Sequence, residues 1–191
     1  MRLNAQQLRE LEEKRAVGET RKVMRNPIFF ILENIYDTYN IGGLFRLADA
    51  IAAEKIYLCG EMEIPPNSRI KKASIGTYKI VEWEYKKTAK DAIKEVRSWK
   101  LEVGSRNHQT LILQPQTLVV AVEQYLKAVP YSKASYNLPL ALIFGNESYG
   151  VLPETLELVD QIVEIPMWGI NKSLNVIVSA AIVSYWVMSK I

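Results

Sequence analysis

One cysteine and one histidine occur in 191 residues, and each scarcity removes a class of function. A lone thiol cannot close an internal disulfide. Cys59 follows the apolar Ile56-Tyr57-Leu58 and reads as a buried structural thiol rather than a nucleophile. His108 lies between Asn107 and Gln109, with no nearby carboxylate or second ligand, and reads as a surface residue rather than a catalytic base. No metal site is expected. No Gly-x-Gly-x-x-Gly follows the first strand pattern and no phosphate-loop lysine motif occurs, which disfavours a conventional nicotinamide or nucleotide-triphosphate enzyme. The first residues, with Glu10, Glu12 and Glu13, lack the apolar core of a signal peptide. Residues 174–188 are apolar but too short for a bilayer span, and Asn175, Ser179 and Ser184 interrupt them. A soluble, reducing, cytoplasmic setting with no membrane partner follows as the expectation.

The 49% hydrophobic and 24% charged fractions are those of a globular chain. Its length suits one domain that buries roughly 70% of the surface its unfolded form exposes. The net charge of +3 is held entirely by residues 1–25, where seven Lys or Arg face four Glu. This arm suits nonspecific phosphate contact, or is a solvated helix of mixed charge. Asn4 with Gln7 resembles a capping box, and Leu8 and Leu11 share one side of a helix that ends near Gly18. The chain thus divides into an N-terminal helical arm, 1–25, and a domain, 26–191.

Within the domain, Ile28-Phe29-Phe30-Ile31-Leu32 reads as a buried strand. A polar loop over 34–40 precedes Gly42-Gly43, and apolar residues at 44, 47, 48 and 51 have helical spacing. Lys55 to Cys59 reads as a second strand, followed after Gly60 by a proline- and charge-rich loop through Arg69 and Lys72. A third strand falls near Ile80 to Tyr85, and Thr88 caps a helix to about Trp99. Residues 101–116 have no clear pattern, Leu118 to Val122 reads as a fourth strand, and 128–137 as a loop. The strongest stretch comes last. Leu140-Ala141-Leu142-Ile143-Phe144 stops at Gly145 and then presents Asn146 and Glu147. That is how a buried parallel strand delivers polar groups to a crevice at its carboxyl end. Gln161 to Met167 reads as another strand, ended by Pro166, and Ser173 sits where a last helix begins. The fold class is therefore α/β, a mostly parallel sheet with helices on both faces.

Three blocks in this order resemble motifs of the SpoU/TrmH-type RNA 2′-O-ribose methyltransferases of the SPOUT superfamily. They are Asn40-Ile41-Gly42-Gly43-Leu44-Phe45-Arg46, Leu142-Ile143-Phe144-Gly145-Asn146-Glu147 with Gly150, and Ile165-Pro166-Met167 with Ser173-Leu174-Asn175-Val176. The resemblance covers about residues 27–189. Gly43 and Leu47 stand where that family more often has alanine or serine and then threonine, and the stretch from 101 to 137 is longer than expected.

The resemblance implies a deep C-terminal trefoil knot, the SPOUT α/β knot, that forms an S-adenosyl-L-methionine pocket, and a homodimer. Val122, Gly145, Ile165, Met167, Ser173 and Leu174 are then the cofactor-binding residues. Asn40, Arg46, Glu147, Ser173 and Asn175 are the catalytic set: Asn40 and Arg46 orient each other or the target nucleotide, and Glu147 fixes Arg46 or a backbone donor. Ser173 and Asn175, at a helix N-terminus, suit a phosphate or a developing oxyanion. A guanidinium does not readily lose its proton, so Arg46 is expected to grip phosphate and stabilise the alkoxide rather than act as a base. The substrate is RNA, transfer RNA favoured over ribosomal RNA because no dedicated recognition domain precedes the core. Two other readings stay open: a SPOUT enzyme that methylates a base nitrogen, and an RNA-binding or assembly protein without turnover. The last helix, apolar on nearly every side, must be covered all round, by a core or by a dimer interface.

Overall fold

The structure is a computed structural model that describes residues 7, 24–99 and 116–191. The expected arm helix around Asn4, Leu8 and Leu11, and His108 with residues 101–115, lie outside the described residues. In chain order the elements are β1 (Asn26–Glu33), α1 (Thr38–Ala50), β2 (Ala53–Cys59), α2 (Ser68–Ser74), β3 (Glu82–Lys86), α3 (Ala89–Ser98) and β4 (Leu118–Val122). They continue with β5 (Val129–Pro130), β6 (Leu140–Phe144), α4 (Pro153–Leu156), β7 (Gln161–Glu164) and α5 (Val176–Met188). The seven strands form one sheet in the order β3-β2-β1-β6-β4-β7-β5, and every pairing is parallel.

A central parallel strand is apolar along its whole length because both of its faces are covered. β6 is buried at all five positions, and β1 from Ile28 onward. Alternate residues serve opposite layers. Phe30, Leu32, Leu142 and Phe144 pack with Leu44 of α1, Ile70 of α2 and Val183 of α5. Phe29, Ile31, Ala141 and Ile143 pack with Ala92, Ile93 and Val96 of α3, and Leu156 of α4 lies against that layer. Each large side chain so buried contributes roughly 1.5–3 kcal/mol. Cys59 is fully buried in the second layer, where desolvation pushes its thiol pKa far up. That leaves it unreactive, as its sequence context predicts.

Four stretches differ from the sequence expectation. The polar loop ends earlier than Asn40, because Asp37 caps α1 by accepting the Tyr39 amide hydrogen at 2.8 Å. Asn40 is therefore a helical residue. The charged stretch around Arg69 and Lys72 is not all loop: Asn67 accepts from the amides of Arg69 (2.9 Å) and Ile70 (3.2 Å) and starts α2. Ile70, fully buried, anchors that helix. Ser173 does not begin the last helix; α5 starts at Val176 with Asn175 as its cap. The expected loop over 128–137 also donates a two-residue edge strand, β5.

α5 lies against α1, where Gly43 leaves room for Ile177: a Cβ on Gly43 would fall 2.4 Å from the Ile177 Cδ1. Gly42 is more tightly held, since a Cβ there would meet the Ala73 Cβ at 2.4 Å and the Ser74 backbone nitrogen at 2.9 Å. The two glycines should therefore respond differently to alanine. Gly42→Ala is expected to lower stability by about 1–3 kcal/mol through overpacking of α1 on α2. Gly43→Ala should cost less than about 1 kcal/mol, because a flexible Ile177 tip can move and alanine favours the helix. Urea unfolding of both variants measures the difference, and equal losses would contradict this packing.

Candidate active site

A cleft of about 480 Å³ opens at the carboxyl ends of β4, β6 and β7, beside the N-terminus of α5. Its construction starts at Gly145, where β6 stops. A Cβ at that position would lie 2.1 Å from the Gly150 carbonyl carbon, so only glycine admits the tight return over residues 146–150. The return is closed by paired backbone hydrogen bonds between Asn146 and Gly150 (3.0 and 2.9 Å). Gly150 has φ +71°, a left-handed conformation that glycine adopts without strain. The buried Asn146 accepts from the amides of Ser148 and Tyr149 (2.7 and 3.1 Å) and donates to the Asn34 carbonyl at 2.7 Å. The turn after β6 is thereby joined to the end of β1.

Glu147 leaves this turn toward α1. Its Oε1 accepts from the Asn40 side-chain amide at 2.8 Å and the Asp37 backbone at 3.1 Å, and its Oε2 from the Tyr36 backbone at 3.2 Å. Burial pushes the carboxyl pKa up, but the hydrogen bonds from Asn40 and from the backbone amides outweigh it and hold the pKa below 4.5. Asn40 passes the connection on. Its Oδ1 accepts from the Asn175 Nδ2 at 3.0 Å, and Asn175 in turn accepts from the Ile177 amide at 2.9 Å to cap α5. Side chains of all three motif blocks thus form one hydrogen-bonded chain, Glu147 to Asn40 to Asn175.

Every residue expected to bind a cofactor lines this cleft: Val122, Gly145, Ile165, Met167, Ser173 and Leu174. Glu147 and Asn175 line it too, and Asn40 is tied to both. Arg46 does not. It is exposed on α1, outside the cleft lining, and has no hydrogen-bond or ion-pair partner among the described residues. Asn40 and Arg46 do not orient each other, and Glu147 holds backbone donors rather than Arg46. Arg46 follows Asn40 by six positions, which places them about 120° apart around the helix. Ser173 is exposed in the loop before α5, and only Asn175 occupies the helix terminus.

Several lining residues were missed by sequence reasoning, among them Glu123, Gln124 and Tyr149. Glu123 accepts from the Val151 amide at 2.8 Å and would touch any Cβ at Gly150. Gln124 donates to the Ile165 carbonyl at 2.7 Å and so occupies one backbone group that was expected to face a cofactor. The available signal was position: both directly follow the buried β4, the place where a parallel strand exposes polar side chains to a crevice.

The fold and the cleft define an α/β protein of parallel sheet whose ligand crevice lies at the strand carboxyl ends. The chain belongs to the SpoU rRNA Methylase family, whose model matches residues 27–185. It is 27% identical over 172 residues to the tRNA (guanosine(18)-2′-O)-methyltransferase of Thermus thermophilus, covering 90% of this chain and 79% of that protein. The enzyme of the same name from Escherichia coli K12 is 25% identical over 157 residues, with 81% of this chain and 59% of that protein covered. The chain therefore spans about three fifths of the E. coli relative's length. An rRNA methyltransferase from Sinorhizobium meliloti, solved with AdoMet bound, shares the fold with a TM-score of 0.72 at 24% identity, over 88% of this chain and 58% of that one.

Because the folded-state pKa of Glu147 is depressed, its ionised form stabilises the native state above the ordinary carboxyl pKa. That stabilisation is lost as pH falls from 4.5 through the lowered folded value. Glu147→Gln should cost roughly 1 kcal/mol at pH 7, a modest figure because water screens this partly exposed group. The deficit relative to wild type should shrink as pH falls below about 4.5. Denaturant midpoints at pH 7 and pH 3.5 test this; a deficit independent of pH would show that the Glu147 charge is not what matters.

Proposed function

We propose that this protein is an S-adenosyl-L-methionine-dependent RNA methyltransferase acting on a ribose 2′-hydroxyl. The observation that carries the reading is the convergence in one cleft of the six expected cofactor residues with the Glu147–Asn40–Asn175 chain. The residues fit such a cofactor. A cleft of about 480 Å³ falls within the roughly 300–1,000 Å³ of small-molecule sites. Val122, Met167 and Leu174 offer apolar contact for a purine, while strand ends supply backbone donors and acceptors for its edge. When bound, the cofactor supplies an electrophilic methyl group on a sulfonium.

The chain's own groups position and polarise. Transfer would need the hydroxyl oxygen held in line with the methyl carbon, so that the methyl–sulfur bond could break as the C–O bond forms, leaving the neutral demethylated thioether while the hydroxyl proton passes to solvent. Asn175, fixed by Asn40 and by its capping bond, presents an amide at the cleft wall. Glu147 keeps the β1–α1 loop closed against that wall. Arg46, charged and unpaired among the described residues, is free to take a phosphate of the RNA and stabilise the emerging alkoxide. Its place outside the cleft lining means that bound RNA or a second subunit completes the site around it.

A homodimer is the assembly we infer. α5 keeps Ala180, Val183, Ser184 and Val187 buried, whereas Val178 and Tyr185, seven residues apart on one stripe, are 45% and 55% exposed. A second copy seated on these residues would cover the side of α5 that this chain's own core leaves open. Threading of the C-terminal segment as a trefoil knot, a cytoplasmic setting, and phosphate contact by the basic arm of residues 1–25 complete the reading. Relatives named as tRNA (guanosine(18)-2′-O)-methyltransferases support transfer RNA as the substrate.

Titration calorimetry with S-adenosyl-L-methionine and then with its demethylated product is the direct test, followed by nucleoside analysis of RNA carrying a labelled methyl group. Saturable binding and a 2′-O-methylated nucleoside are expected; a label on a base nitrogen, or no binding by the folded protein, overturns the assignment. Arg46→Ala should retain cofactor binding but lose turnover by roughly 10²–10³-fold. Normal methylation by that variant would remove Arg46 from the site. Asn175→Ala should cost about 1 kcal/mol through the lost cap and reduce transfer further than that loss explains. Unchanged specific activity in the folded variant would leave Asn175 a cap only.

A further inference from the structure

Three tyrosines with exposed rings lie in the two segments that Glu147 joins, the start of α1 with the residues before it and the turn after β6. Tyr36 and Tyr39 are each 53% exposed and Tyr149 is 80% exposed. Their backbones are fixed: the Tyr36 amide donates to Glu147 at 3.2 Å, the Tyr39 amide to Asp37 at 2.8 Å, and the Tyr149 amide to Asn146 at 3.1 Å. Their rings have no such role. None of the three stacks on another ring or uses its hydroxyl in a hydrogen bond among the described residues. By contrast, Phe29, Phe30, Phe45, Tyr57 and Tyr131 are engaged in ring contacts inside the fold.

We infer that Tyr36, Tyr39 and Tyr149 form a stacking platform for unpaired bases of the substrate RNA at the mouth of the cleft. The inference rests on the RNA substrate proposed above. Sequence-selective RNA recognition uses bases splayed from single strands and stacked on aromatic side chains. A tyrosine supplies a large flat face with little side-chain entropy to lose, and here hydrogen bonds have already ordered the backbone that carries it. Position favours a base over a second protein copy as the occupant. Tyr149 lines the cleft, and the backbone bonds from Tyr36 and Asp37 to the cleft residue Glu147 hold the segment carrying Tyr36 and Tyr39 beside it, whereas the apolar residues inferred for the subunit contact are on α5. Charge agrees with this. Arg46 follows Tyr39 by seven residues, two helical turns on the same face and about 10 Å along the axis, so one strand can offer a base to the ring and a phosphate to the guanidinium.

The test compares a fluorescently labelled single-stranded RNA oligonucleotide with the duplex of the same sequence, bound to the full-length protein. The wild type should prefer the single strand. Alanine at Tyr36, Tyr39 or Tyr149 should weaken single-strand binding roughly 5- to 150-fold, the range for loss of one stacked base. Phenylalanine at the same positions should restore it, because stacking needs the ring and not the hydroxyl. Calorimetry of the Tyr36→Ala and Tyr39→Ala variants should show undiminished S-adenosyl-L-methionine affinity, and sedimentation an unchanged oligomeric state. Alanine variants that bind the single strand as the wild type does would overturn the platform. So would loss of binding that tracks loss of the dimer, which would make the rings subunit contacts. Failure of the wild type to bind S-adenosyl-L-methionine would instead strike the methyltransferase reading, with the oligonucleotide measurements still deciding the platform.

Discussion

The Glu147 carboxylate is the junction on which the site depends. It leaves the turn after β6 and accepts three hydrogen bonds, two from the segment that joins β1 to α1 and one from the first turn of α1. One of these comes from Asn40, whose carbonyl oxygen is in turn held by the cap of α5. Two strand ends and two helix N-termini are thereby fixed relative to one another by a chain of short, partly charge-assisted contacts. Such contacts are about twice as strong as neutral ones, and they impose direction as well as attraction. Remove the carboxylate and the apolar layers still pack, but the segment before α1 and the Asn40–Asn175 pair lose their side-chain tie to the turn after β6.

That alignment is possible because the sheet beneath it is rigid. β1 and β6 are adjacent, parallel and buried on both faces, and close-packed interiors resist small displacements. The glycines mark where this packing is least forgiving. At Gly145 the chain folds back on Gly150, and at Gly42 two helices approach at a distance that no side chain permits. The polar chemistry at the rim thus inherits its geometry from apolar packing a few residues away.

The surface around the cleft divides by chemistry. A cleft with mixed polar and apolar lining suits a small cofactor. Open tyrosine rings and an unpaired arginine on the same face of α1 suit a strand of RNA, whose bases stack and whose phosphates carry charge. The exposed Val178 and Tyr185 of α5 carry neither character and are where the proposed second copy of the chain would seat.

Much of the strand order in sequence was legible because buried parallel strands write themselves as unbroken apolar runs: β1, β2, β4, β6 and β7 all lie where such runs occur. The helix starts at Thr88 and Asn175 also have local causes, a side chain that can accept from the next turn, although only the first was placed correctly beforehand. α2 was hidden because its cap, Asn67, precedes a segment dominated by charge, and its single buried anchor, Ile70, leaves no periodicity to detect. By itself the sequence determined the α/β class, the parallel sheet, the buried thiol of Cys59 and the polar residues of the three motif blocks, since each follows from local pattern and burial. Only the tertiary structure decided that Glu147 meets backbone amides and Asn40 rather than Arg46, that Glu123 and Gln124 belong to the cleft, and that Arg46 faces outward. Those outcomes depend on which strand ends lie side by side and on the turn of a helix, and residues more than a hundred positions apart carry no local signal of either.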